Sequence, residues 1–100
     1  MSRIRVMLPF HLKNLARIET DLFVNVDGVV TPNSILDRLE ADYPMLRGTI
    51  REFGSGKRRP WLRFFACQED ISHDPMGNEL PTAVQSGDEP FIVIGAIAGG

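Results

Sequence analysis

Two apolar, strand-like runs stand near opposite ends of this chain of 100 residues, and they restrict its fold more than any other feature. Near the start, Ile4, Val6 and Leu8 alternate with Arg3, Arg5 and Met7, the pattern of a half-buried strand that Pro9 ends. Near the finish, Phe91-Ile92-Val93-Ile94 is a short apolar run, entered through the turn residues Ser86-Gly87-Asp88-Glu89-Pro90. Whatever lies between has to bring the two runs into one sheet or leave both half covered.

The interval supplies one clear helix. Thr31 is suited to cap it and Pro32 to its first position, where the missing N–H costs nothing. Ile35, Leu36, Leu39 and Tyr43 then recur at helical spacing, with Asp37, Arg38, Glu40 and Asp42 left for water, and Pro44 stops the run. Before this helix, Leu22, Val24 and Val26 alternate with Phe23 and Asn25 as a second strand that Asp27-Gly28 closes, and residues 11–20 read as a long hairpin connection. After it, Met45, Leu46 and Ile50 indicate a further turn or short helix, and residues 54–60 a flexible basic loop, open to an acidic partner. Trp61 to Cys67 is a third strand, with Leu62, Phe64 and Ala66 on one face and Trp61, Arg63, Phe65 and Cys67 on the other. Gln68-Glu69-Asp70 reads as a turn, Ile71-Ser72-His73 as a short strand, Asp74 to Asn78 as loop, and Leu80 to Val84 as a helical turn. The order β-β-α-β-(short β)-β predicts one α+β domain of the β-grasp (ubiquitin-like) type. It has a mixed sheet of four to five strands with one main helix on one face. In that fold the first and last strands pair in parallel at the sheet centre.

Several function classes drop out. A net charge of −2 argues against nucleic acid as the main partner. The start carries no apolar leader and no run approaches a membrane span, so the expectation is a cytoplasmic domain with no membrane partner. Cys67 is the only cysteine, too few for a disulfide framework or an iron–sulfur cluster. His11 and His73 are not spaced as a metal pair, and His73-Asp74 is a loop pair rather than half of a dyad. The Gly-Lys in residues 54–60 is not a phosphate loop: Arg51 stands where that motif needs glycine, and Arg58 where it needs Ser or Thr. No nucleophile, base and oxyanion donor assemble, so the domain is expected not to be an enzyme.

The last residues, Gly95-Ala96-Ile97-Ala98-Gly99-Gly100, are small. Glycine adopts nearly any φ/ψ, so such an end can extend as a thin thread into a narrow channel of a partner enzyme. The plain alternative is a frayed chain end. The expected division is a β-grasp domain over residues 1–96 and a flexible Gly-Gly tail over 97–100.

Leu39-Glu40-Ala41-Asp42-Tyr43-Pro44 at the helix end, Ser86-Gly87-Asp88-Glu89 before the last strand and the final Ala96-Ile97-Ala98-Gly99-Gly100 resemble the ubiquitin-like sulfur-carrier family over essentially the whole chain. That family includes the small subunit of molybdopterin synthase, the thiamine sulfur carrier and the carrier of cysteine synthesis. The long segment between helix and third strand is most similar to the last of these. Departures are Ile94-Gly95, where the family often has a proline, and Ala66-Cys67, where it often has Val-Asn. The resemblance implies that an adenylating enzyme of the ubiquitin-activating type, using ATP and Mg²⁺ of its own, activates the Gly100 carboxylate next to Gly99. A thiocarboxylate then carries sulfur to an accepting synthase. No cofactor is held by the domain itself. Arg63 and Phe65, on the sheet face away from the helix, together with Ile97 and Ala98 are the expected partner contacts. A protein modifier joined to targets through Gly100, or a plain interaction module, is the alternative.

Overall fold

Alternation at the start produces β1, Ser2–Met7, whose Ile4 and Val6 point into the core while Arg3 and Met7 stay exposed. The computed structural model describes residues 1–95. β2, Leu22–Val26, lies antiparallel to β1 in an unbroken register from Ser2 opposite Val26 to Val6 opposite Leu22. The connection between them is not all loop. Residues Phe10–Leu15 form a short helix, α1, beginning directly after Pro9, and Leu12 and Ala16 are buried at four-residue spacing. A single apolar pair per turn is a weak periodic signal, which is why the run reads as connection in the sequence.

The main helix, α2, spans Pro32–Asp42. Ser34 N–H donates to Thr31 Oγ1 at 3.0 Å, and Thr31 N–H donates to Ser34 Oγ at 2.8 Å. Two otherwise orphaned donors are thus satisfied reciprocally, with serine in the place that glutamate usually fills. Ile35, Leu36 and Leu39 are buried against the sheet. A 3-10 turn at Pro44–Leu46 follows and buries Leu46. Arg51 ties the segment beyond it to α2: its guanidinium donates to Glu40 at 3.0 Å, Asp37 at 2.9 Å and Asn33 at 3.2 Å. Partial burial opposes the charge of Arg51, but the hydrogen bonds to Glu40 and Asp37 outweigh it and raise its pKa.

β3, Leu62–Ala66, carries Leu62, Phe64 and Ala66 inward as expected. The turn after it begins one residue earlier than the sequence suggests, and the short strand two residues earlier. Cys67 and Gln68, both at positive φ (51° and 68°), make the turn, and β4 is Glu69–Asp70. Neither glycine nor asparagine marks these left-handed positions, so the usual hairpin signal is absent. A four-residue helix, α3, Thr82–Gln85, leads through Gly87 (φ +87°) into β5, Phe91–Gly95. A Cβ on Gly87 would lie 3.2 Å from the Arg3 carbonyl, so the turn passes close against β1.

The five strands run in the order β2-β1-β5-β3-β4. β5 is parallel to β1 and antiparallel to β3. The first and last strands therefore lie together at the centre, with α2 over one face: the β-grasp fold. Phe64 and Phe91 pack with ring centroids 5.2 Å apart in the core between sheet and helix.

Candidate functional site

Because β5 alternates, the face that does not meet α2 receives Ile92 and Ile94. Register aligns Met7, Ile92, Phe65 and Asp70 in one row across β1, β5, β3 and β4. The next row sets Arg63 opposite Ile94. An apolar strip thus crosses the middle of the outer face: Phe65 and Ile92 are half-buried, while Met7 and Ile94 are 51% and 45% exposed.

The structure brings Arg63 and Phe65 together on this face, as the alternation of β3 implied. Arg63 Nη1 lies 3.3 Å from Asp70 Oδ2 at the strip's margin. Asp70 also accepts from the Ser72 N–H at 2.9 Å, and buried Ser72 in turn accepts from the Phe64 N–H at 2.9 Å. Hydrogen bonds from Ser72 hold the Asp70 carboxyl below its usual range, with the Arg63 charge adding to the effect. The margin of the strip is therefore charged, with the carboxylate and the guanidinium both fixed. Met7, Ile92 and Ile94 complete the strip. The outward phase of Met7 was readable in the alternation of β1, whereas the all-apolar run of β5 left that of Ile92 and Ile94 open; the pairing of β5 with β3 sets Ile92 beside Phe65, and that of β1 with β5 adds Met7 to the row.

The end of β5 is set at a second cluster. Gly95 pairs with Leu62. A Cβ on Gly95 would stand 3.8 Å from His11 Cε1 and 4.0 Å from Pro9 Cβ. Beside it an open groove is lined by His11, Leu15, Arg59 and Trp61, with the Arg59 guanidinium 5.6 Å from the Trp61 ring centroid. Neither α1 nor the position of His11 beside Gly95 is marked by any motif. Gly99, Gly100, Ile97 and Ala98 lie outside the described residues, as does the boundary expected at residue 96.

The basic loop changes its reading. Arg58 donates to the carbonyls of Ser72, Arg59 and Leu62, and Arg59 donates to the Gly48 carbonyl at 2.9 Å. These guanidiniums satisfy backbone acceptors of the domain itself, and Lys57 is the cation of the loop that stays exposed. Among the described residues no group of three or more His, Cys, Asp and Glu is placed to hold a metal ion, and no helix is long and apolar enough to cross a membrane.

No protein-family model matches the sequence, and no curated protein is significantly similar to it. Solved structures are similar in fold. SAMP1 from Haloferax volcanii superposes with a TM-score of 0.73 at 19% identity, covering 98% of this chain and 99% of that one. SAMP1 from Methanosarcina acetivorans gives 0.72 at 19% identity, covering 100% and 98%. A structure of the Amycolatopsis orientalis BexX/CysO complex gives 0.71 at 18% identity, covering 96% and 98%. Superpositions of this extent show the shared β-grasp architecture over nearly the whole of each chain.

Proposed function

We propose that this chain is a ubiquitin-like carrier whose working group is the Gly100 carboxylate, activated by a partner enzyme and converted to a thiocarboxylate. The observation that carries this reading is the placement of β5. The strand that leads to Ala96-Ile97-Ala98-Gly99-Gly100 is central in the sheet and ends beside an exposed apolar strip. A partner that grips the strip holds the domain beside the end of β5, from which those residues follow in sequence. The fold is shared with proteins named small archaeal modifier and with a CysO chain in complex with BexX, which supports a carrier or modifier over a catalyst.

In the proposed step, a Gly100 carboxylate oxygen attacks the α-phosphorus of ATP in the partner's site, and pyrophosphate leaves. The acyl-adenylate turns a poor leaving oxygen into a good one. A hydrosulfide-equivalent donor adds to the carbonyl carbon and AMP departs, leaving sulfur on Gly100 for transfer to an accepting synthase. This chain contributes the strip with Arg63 and Phe65, the contacts of Ile97 and Ala98, and the absence of side chains at Gly99 and Gly100. The small archaeal modifier names favour one second reading, in which the activated Gly100 is joined to amines of target proteins.

The test is the intact mass after incubation with an adenylating enzyme, ATP and a sulfur source. A gain equal to exchanging one oxygen for sulfur, lost when Gly100 is deleted or one residue is added after it, is the expected result. No gain, with an enzyme shown to activate another carrier, overturns the proposal. Conjugates to other proteins without that gain select the modifier.

A further inference from the structure

The two edges of the sheet are unequally protected. β4 ends one side with only Glu69 and Asp70, short and charged, which is how natural sheets discourage further pairing. β2 ends the other side with Leu22-Phe23-Val24-Asn25-Val26, a run with no charge, no proline and, in its register with β1, no bulge. On the side away from β1, alternate residues of this strand direct backbone N–H and C=O groups outward. None of them bonds to another group among the described residues. Beside the strand, an open groove is lined by Asn25, Val26, Asp27, Asp37 and Ala41, which belong to β2, its exit and α2.

Charge indicates what this edge accepts. Asp21 and Asp27 flank β2, six positions apart, both exposed and neither in an ion pair among the described residues. Asp37, also at the groove, is bound to Arg51 at 2.9 Å, so the carboxylates of this edge left unpaired among the described residues are Asp21 and Asp27. Of the cations nearby, Arg38 is engaged by Asp42 at 3.1 Å, Arg3 lies over the Phe23 ring on the sheet face, 4.0 Å from its centroid, and Arg5 and Lys13 line a hollow with Asp21 but form no ion pair with it among the described residues. A second copy of the chain is a poor occupant. Antiparallel self-pairing about Val24 sets Asp21 of each copy against Asp27 of the other, and like charges directly opposite destabilise a strand pair.

We propose that the β2 edge receives an extended segment of a partner protein as an added antiparallel strand, with Lys or Arg opposite Asp21 and Asp27 and β-branched residues between. Main-chain hydrogen bonds would supply much of the affinity, and the two aspartates the register and selectivity. The surface is an edge of the sheet rather than its outer-face strip, so its test does not depend on the carrier reading.

The probe is the peptide acetyl-Lys-Val-Thr-Val-Val-Val-Lys-amide, titrated into isotope-labelled full-length protein. Expected are amide shift changes centred on residues 21–27 and slowed exchange of the outward β2 amides. A Glu-flanked version of the peptide should bind about tenfold more weakly, two surface ion pairs having become repulsions. The Asp21→Lys/Asp27→Lys variant, whose fold is checked by unchanged core resonances, should reverse that preference. Equal binding of the two peptides, shifts centred on the Phe65 strip, or no shift at millimolar peptide would each overturn the proposal. So would sedimentation showing that the protein alone dimerises through β2.

Discussion

At the scale of single residues, Ser72 and Asp70 form the most consequential polar pair. Ser72 is the buried polar residue of the described domain, and its hydroxyl is the acceptor for the Phe64 N–H inside the sheet. Ser72→Ala leaves that donor without a partner, so a loss of about 1–3 kcal/mol in urea unfolding is expected. It should also move the Asp70 titration, followed by NMR, back toward the ordinary carboxylate range, since Ser72 supplies the leading cause of its depression. The sign for stability follows from the lowered folded value. The contribution of Asp70 is fully present above the unfolded pKa of about 4 and is lost as pH falls through the folded one. Wild-type stability should therefore decline below about pH 4 more steeply than that of Asp70→Asn. Parallel profiles for the two proteins would remove Asp70 from the account. Gly48 is a different case. Its φ is +80° and a Cβ there would run into the Phe53 ring, so Gly48→Ala should cost about 1 kcal/mol or more in the same assay. Nothing around Gly48 in sequence announces this, because the ring that fills the space comes from five positions later.

At the scale of elements, legibility tracks how much of an element's signal is local. α2 was readable to its ends because Thr31, Pro32 and Pro44 punctuate an apolar stripe within one short window. Its capping partner, Ser34, is equally local, and Thr31→Ala should cost about 1 kcal/mol by removing the acceptor for the Ser34 N–H. β1, β2 and β3 were readable because period-two alternation survives over five or six residues, and β5 because a short apolar run follows a clear turn. α1 and the β3–β4 turn were not. α1 has one buried residue within its span, and the turn uses Cys67 and Gln68 where glycine or asparagine is the recognisable choice. The same distinction governs the candidate surface. The outward phase of Arg63 and Phe65 is a property of β3 alone, whereas the strip with Met7, Ile92 and Ile94 needs three strands in register. Phe65→Ala should weaken the complex with an adenylating partner several-fold, the third or less of its surface still open being worth roughly 0.5–1.5 kcal/mol when covered. The domain should stay folded, since Phe64 rather than Phe65 fills the core. Unchanged affinity measured by calorimetry would take the strip out of the proposed interface.

At the scale of the whole molecule, the sheet order decides how the end of the chain is held. A last strand on a sheet edge would be anchored by one ladder and could peel away when a partner draws on the residues beyond it. Here β5 is held by β1 on one side and β3 on the other, and its Phe91 and Val93 are buried. The ladders are unequal: β3 pairs with all five residues of β5, from Phe91 opposite Ala66 to Gly95 opposite Leu62, whereas β1 is registered against Phe91 and Ile92. The last described residues, Val93 to Gly95, are thus fastened chiefly to β3, with Pro9 and His11 beside Gly95. Central strands open only when much of the domain opens, so native-state hydrogen exchange should find the β5 amides of Phe91 and Val93 among the slowest in the protein, close to the global unfolding limit. The outward amides of β2 and those of β4 should exchange orders of magnitude faster, since each lies on an edge. Urea dependence separates the classes: β5 exchange should carry the full slope of global unfolding, and edge exchange almost none. If β5 amides instead exchanged through local fraying, with a shallow urea slope, the end of the chain would not be anchored by the body of the fold. A partner could then unzip it, and a domain built to hold its last strand at the centre would lose its mechanical rationale.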